Sequence, residues 1–93
     1  MKRVIVINAK DNVAVALEEV APGEEIEADL GGQKVTLTVQ EAIPFGHKIA
    51  LRPLAVGEPV VKYGEVIGEA TQPIAPGAWV HLHNLASRRG RPA

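Results

Sequence analysis

The segment WVHLHN, residues 79 to 84, holds two of the chain's three histidines two positions apart. Successive side chains of a strand point to opposite faces, so an extended backbone lines Trp79, His81 and His83 on one face and Ala78, Val80 and Leu82 on the other. The second set is wholly apolar and is the expected core side. Two outward imidazoles at this spacing can converge on one metal ion or one carboxylate, because histidine is both a common metal ligand and a common general acid or base. The plainer alternative is a pair of solvated histidines at the end of an edge strand.

The third histidine, His47, precedes Lys48 inside IPFGHKI (43–49). This is one of four segments that run apolar, two residues, Gly, two residues, apolar; the others are VAPGEEI (20–26), LAVGEPV (54–60) and IAPGAWV (74–80). Each reads as a strand end, a turn that uses the permissive φ of glycine, and a new strand start. The glycines are unevenly spaced, so these are corners and not the units of a solenoid. A His-Lys pair beside a glycine that exposes backbone N–H groups can hold a carboxylate or phosphate. It also suits ordinary turn polarity, with the lysine stem lying over apolar neighbours. VKYGEVIGEAT (61–71) adds Lys62 and the only tyrosine, Tyr63, together with Gly64 and Gly68. Glycines in such a run mark bulges or the close approach of another backbone, and Tyr63 equally suits capping the core with its hydroxyl in water.

The elements that must position these groups are strands. EIEADL (25–30) alternates Ile26, Ala28 and Leu30 with acidic residues, and KVTLTV (34–39) alternates Val35, Leu37 and Val39 with polar ones. Both predict half-buried strands, joined by a tight primed turn at Gly31-Gly32. RVIVIN and VAVAL predict two more, across Ala9 to Asn12. No helical stripe of any length appears, and only Thr38 to Ile43 suits a single helical turn. Ninety-three residues with 46% hydrophobic content but one Phe, one Trp and one Tyr predict a single all-β domain with an aliphatic core, over residues 1–86. A chain of this size buries too little surface for a deep private active site. Residues 87–93, SRRGRPA, predict a flexible basic tail suited to an acidic partner surface.

Ten Lys and Arg against eleven Asp and Glu leave a net charge of −1, which gives no general attraction to nucleic acid or to anionic membranes. The absence of cysteine excludes disulfide frameworks, thiolate metal sites and cysteine nucleophiles, and points to a reducing cytoplasm. The apolar run after the basic start is too short for a signal peptide or a membrane helix.

Taken together, DNVAVAL (11–17), GHKIAL (46–51), KYGEVIGEAT (62–71) and IAPGAWVHLHN (74–84) resemble the small subunit, or N-terminal domain, of the altronate and galactarate dehydratase family, to which sulfolactate sulfo-lyase also belongs. The resemblance implies a β-clip domain of the SAF type and a much larger catalytic partner, here expected as a separate polypeptide. It implies elimination from a small hydroxy acid to a 2-keto-3-deoxy product, supported by a divalent metal, usually iron(II), shared with the large subunit. Such chemistry needs a base for a weakly acidic proton, neutralisation of the substrate carboxylate, and an acid for the leaving group. The resemblance thereby implies catalytic roles for His47, Lys48 and Tyr63, substrate contacts from Asp11, Asn12, Lys62 and Asn84, and metal ligation by His81 and His83. One position departs: these dehydratases commonly carry histidine three residues before the Asp-Asn pair, where this chain has Asn8. Asparagine can hydrogen-bond a substrate hydroxyl but is a poor metal ligand and no base. The alternatives are a small subunit of a sulfo-lyase and a non-catalytic binding module for a carbohydrate or protein.

Overall fold

The four glycine corners take one backbone geometry in the computed structural model, which describes residues 1–87. Gly23, Gly46, Gly57 and Gly77 have φ of +87°, +85°, +84° and +83°. In every case the N–H of the next residue donates to the carbonyl three positions back, on Ala21, Pro44, Ala55 and Ala75. A positive φ at the third turn position is what glycine supplies without steric cost.

These corners interlock in pairs. Each glycine N–H donates across the fold at 2.8 Å: Gly23 to Val39, Gly46 to Ala16, Gly57 to Ala70 and Gly77 to Ala50. The residue so reached answers with its own N–H to the carbonyl after the glycine, as Val39 to Glu24, Ala16 to His47, Ala70 to Glu58 and Ala50 to Ala78. Val39 lies on the approach to the second corner and Ala16 on the approach to the first, so these two grip each other. Ala70 and Ala50 relate the third and fourth corners in the same way. Isolated bridges Val20 to Ile43 and Leu54 to Ile74 close the two pairs.

Between corners run β1 (Lys2–Ile5), β2 (Val13–Ala16), β3 (Glu25–Leu30), β4 (Gln33–Thr38), β5 (Lys48–Ala50), β6 (Pro59–Lys62), β7 (Glu65–Ala70), β8 (Trp79–Val80) and β9 (Leu85–Ser87). Six form a sheet in the order β4-β3-β1-β2-β5-β8, and three form another in the order β6-β7-β9. Only the β1/β3 pair is parallel among the named strand pairs. The all-β expectation holds, with the curled sheets of a SAF β-clip-like domain. The β3–β4 hairpin turns at Gly31-Gly32 as the sequence predicts, with φ of +65° and +95°.

Three aliphatic clusters fill the interior, the smallest of them Ala14, Ala28 and Leu51. Val13, Ala50, Leu54, Val60, Ala70, Ile74, Ala78 and Val80 pack where the small sheet meets the large one. Ala16, Val20, Ile26, Val39, Ile43 and Ile49 pack around the first two corners. Every residue of β2 is buried, because the strand is central and covered on both faces. Phe45 and Tyr63 are exposed and Trp79 is half-buried, so the core uses the branched aliphatics that composition led us to expect.

Three local expectations need correction. The strand at WVHLHN ends at Val80 and the chain turns over 81–84, so Leu82 faces solvent at 82% exposure instead of the core. Thr38 to Ile43 makes no helical turn, since Val39 and Ile43 are committed to corner pairing. Ser87 pairs with Gly68 at the end of β9, one residue past the domain boundary read at 86; the remainder of the basic tail lies outside the described residues.

Gly68 and Gly77 meet foreign backbone. A Cβ on Gly68 would stand 2.2 Å from the Ala86 carbonyl oxygen, and one on Gly77 2.2 Å from that of Thr38, whereas one on Gly57 would meet nothing within 4 Å. Gly57→Ala should therefore cost about 1–2 kcal/mol, the left-handed backbone penalty alone. Gly77→Ala should cost clearly more, because backbone must also shift. Urea unfolding of the two variants separates these terms, and equal midpoints would remove the close approach at Gly77.

Candidate functional site

Strand register brings the histidines together. β5 pairs with β8 antiparallel, Lys48 opposite Val80 and Ile49 opposite Trp79. One step further along the same register, His47 stands opposite His81, and neighbours so placed across strands sit about 5 Å apart. The two ring centres lie 4.7 Å apart. Trp79 is the floor of this group: its ring stacks on His81 at 5.0 Å with planes 8° apart and touches His83 at 5.3 Å. Its indole N–H donates to Nδ1 of His47 at 3.1 Å, which in the neutral ring leaves the proton on Nε2. The turn after β8 brings His83 back to the indole, so the three rings share one aromatic platform although the strand that was to align them stops at Val80. Trp79 was assigned no role from sequence; its spacing with His81 and His83 was the available signal.

Corner chemistry explains why His47 is free for this. In the first and third corners the residue after glycine is glutamate, and its carboxylate accepts the N–H three positions back, Glu24 from Ala21 at 2.6 Å and Glu58 from Ala55 at 3.0 Å. Those acids brace their own turns. His47 occupies the same place in the second corner and turns its ring to Trp79 instead.

Lys48 is half-buried beside this platform. Burial first, and then the charge of Lys62, hold its ammonium below the ordinary lysine pKa. Lys62, also half-buried, lies with its Nζ 4.9 Å from the ring centre of Tyr63. Tyr63 has φ +56° beside Gly64 at +78°, the two left-handed positions of a primed hairpin turn between β6 and β7. Among the described residues neither lysine has an ion pair.

The buried polar candidates are engaged by backbone. Asp11 accepts from the N–H of Gly64 at 2.8 Å and of Asn8 at 3.2 Å. Asn12 accepts from Val61 N–H at 2.8 Å and donates to the Pro59 carbonyl at 2.9 Å. Together they clamp the β6–β7 hairpin, and with it Lys62 and Tyr63, onto the start of β2. Asn8 caps the same loop through Lys10 N–H at 2.9 Å and lies against Gly64. Asn84 closes the turn after β8, accepting from His81 N–H at 2.9 Å and donating to the Trp79 carbonyl at 2.8 Å.

The resemblance implies a divalent metal, usually iron(II), at His81 and His83 and shared with the large subunit. Among the described residues no three His, Cys, Asp or Glu side chains are grouped to hold a metal ion, and Trp79 already occupies Nδ1 of His47. The residues present do not fit a metal held by this chain alone. A depression of about 330 Å³ is lined by His83 and Asn84 together with Gln40, Glu41 and Gln72.

Comparison with known proteins places these features in context. A family model described as the altronate/galactarate dehydratase SAF domain matches residues 2–88. Altronate dehydratase of Escherichia coli (strain K12) is 46% identical over 80 residues, 86% of this chain and 15% of the relative. Altronate dehydratase of Bacillus subtilis (strain 168) is 40% identical over 84 residues, 90% of this chain and 16% of the relative. (2R)-Sulfolactate sulfo-lyase subunit alpha of Chromohalobacter salexigens is 41% identical over 88 residues, covering 91% of this chain and 94% of the relative. The chain therefore spans only about a sixth of the altronate dehydratases but nearly all of that alpha subunit.

Two measurements test the geometry. Asn12→Ala should cost about 1–2 kcal/mol by urea unfolding, since it removes the part-buried bonds to Val61 N–H and the Pro59 carbonyl; a cost near zero would show that the clamp is dispensable. His81 is held below the ordinary histidine value of 6.5 by desolvation and then by His47, Lys48 and His83. The fold thus disfavours its protonation, so its contribution is intact above pH 6.5 and is lost as pH falls below that value. His81→Gln should flatten the fall in unfolding midpoint over that acidic range; an unchanged slope would place the sensitivity elsewhere.

Proposed function

Because this chain belongs to the altronate/galactarate dehydratase SAF domain family, we propose that it is the small component of a lyase that eliminates a leaving group from a hydroxy acid, acting beside a larger catalytic polypeptide. The observation that carries this reading is the convergence of His47 and His81 on Trp79, with Lys48 alongside and, among the described residues, no carboxylate in an ion pair with it. Lys48, half-buried, neutralises a substrate carboxylate, which makes the adjacent C–H easier to deprotonate. His81, biased toward its neutral form, suits proton abstraction, and His47, oriented by the indole, presents an Nε2 proton to the leaving group. Asp11, Asn12 and Asn84 hold the framework for these groups.

Closure of the site falls to the partner. His81 and His83 flank Leu82, and Phe45 precedes the second corner glycine; both apolar side chains are exposed, as expected of a surface that another chain covers. In this reading iron(II) in the assembled enzyme would take its ligands mainly from the partner, and no step on this chain depends on it. Sugar-acid dehydration is the first reading. Near-complete coverage of a relative named as a sulfo-lyase alpha subunit supports a second, in which the same elimination expels sulfite instead of water.

Co-expression with the larger chain and assay against hydroxy and sulfo acids tests the proposal. The complex should turn over one of these acids and the isolated chain none. His81→Gln should lower activity of the complex about a hundredfold or more, while changing stability at neutral pH by no more than about 0.5 kcal/mol. Full activity after the replacement would assign the chemistry wholly to the partner.

A further inference from the structure

An open sheet edge offers its N–H and C=O groups to any strand that can pair with them, and folds ordinarily cover or block such edges. At β8 the Glu41 carboxylate accepts the N–H of Trp79 at 3.1 Å and the Asn84 amide donates to its C=O at 2.8 Å. At β6 Asn12 takes both the N–H and the C=O of Val61 and donates to the Pro59 carbonyl. β9 is three residues long. β4 differs: it has six residues, holds no proline or glycine, and pairs only with β3. Val39 N–H, next along the chain, donates to the Glu24 carbonyl at 2.9 Å. By the alternation of an antiparallel ladder, Gln33, Val35 and Leu37 therefore turn their backbone groups toward β3, and Lys34, Thr36 and Thr38 turn theirs outward. The fourth corner covers the far end, where Gly77 packs against the Thr38 carbonyl oxygen and accepts from Gln40 N–H at 3.1 Å. The outward groups of Lys34 and Thr36 have no hydrogen-bond partner among the described residues. Lysine can guard an edge, but Lys34 sends its ammonium to Glu27 on the neighbouring strand at 3.8 Å.

We propose that the edge at Lys34 to Thr36 pairs with the same edge of a second copy of the chain, antiparallel, with a two-fold axis at Val35. Setting Lys34 opposite Lys34 of the second copy would oppose like charges. Setting Thr36 opposite Thr36 would run Lys34 onto Thr38, which the fourth corner covers. With Val35 on the axis, Lys34 faces Thr36 in both directions, each pair exchanges both backbone bonds, and no like charges meet. Side chains on the inner face match as well. Val35 and Leu37 are only half-buried at the rim of the sheet, and the axis sets Val35 against its own counterpart, so the apolar row of Ala28 and Val35 continues into the second copy. A strand of another protein would have to supply this match; the edge supplies it for itself. β4 and β8 are the opposite edges of the six-stranded sheet. Pairing through β4 therefore leaves His47, Trp79 and His81 open to a larger chain, and the inference stands apart from the proposed reaction.

The test uses the full chain alone, followed by sedimentation and amide hydrogen exchange over a range of concentrations. It should pass from monomer to dimer as concentration rises. Exchange at Lys34 and Thr36 should slow about tenfold or more in the dimer, while Val35 and Leu37, already bonded to β3, change little. The chain has no cysteine, so Val35→Cys introduces one thiol. Mild oxidation should then link two copies through the axis, because directly opposed Cβ atoms lie about 4.5–5.5 Å apart, and Lys34→Cys should give little product. Thr36→Pro removes an N–H that its own hairpin does not use and should raise the dissociation constant about tenfold or more. Thr36→Lys keeps that N–H but sets a lysine opposite Lys34 of the second copy; it should also weaken the dimer, more at low salt than at high, and it covers the case in which proline disturbs the hairpin. A chain that stays monomeric at every concentration, cross-linking through Lys34→Cys in preference to Val35→Cys, or a dimer indifferent to both Thr36 variants would overturn the inference. So would a monomer whose Thr36→Pro form loses only its binding to the larger chain, which would give the edge to a strand of that chain.

Discussion

Each corner glycine spends its N–H outside its own turn, on a strand that leads into another corner, and that strand answers through its own N–H. The exchange works only where the residue after the turn can point its carbonyl back across the fold, and that requires the left-handed φ of glycine. Four such corners in two reciprocal pairs leave little freedom in how the strands meet. They fix which residues of β5 face β8 and which face β2, and they bring the two sheets onto a common aliphatic core. In a chain with few aromatic residues, this backbone lattice does much of what large side chains do in bigger domains.

The site is a by-product of that lattice. The place after the corner glycine is structural in the first and third corners, where glutamate braces the turn. In the second it is given to His47, and in the fourth to Ala78, next to Trp79. The ladder between β5 and β8 then sets His47 opposite His81 over the indole. A cationic and aromatic surface results on a chain whose net charge is slightly negative, which is why overall charge was a poor guide to it.

Buried polarity serves the framework. The family resemblance implied substrate contacts from Asp11, Asn12 and Asn84. Their hydrogen bonds go to part-buried backbone N–H and C=O groups of the hairpin and of the turn after β8. Through them the loop before β2 governs where Lys62 and Tyr63 sit. Tyr63 occupies a left-handed conformation that disfavours side chains, and the Asp11 bond to Gly64 helps to hold it there.

Features that depend on near neighbours are legible in the sequence. Period-two alternation defined β3 and β4, paired glycines defined their turn, the repeated apolar-x-x-Gly motif defined the corners, and composition defined an aliphatic β core. It also put Trp79, His81 and His83 together, although it carried the strand too far and turned Leu82 inward, because alternation cannot register where a side chain such as Asn84 bends the backbone into a turn. Tertiary structure alone decided the facing of His47 and His81 and the capture of Asp11 and Asn12 by the β6–β7 hairpin. Each of these joins segments far apart in the chain. Their register is set by backbone hydrogen bonds between corners and strands, and those bonds involve N–H and C=O groups that every residue carries alike and that no side-chain pattern records.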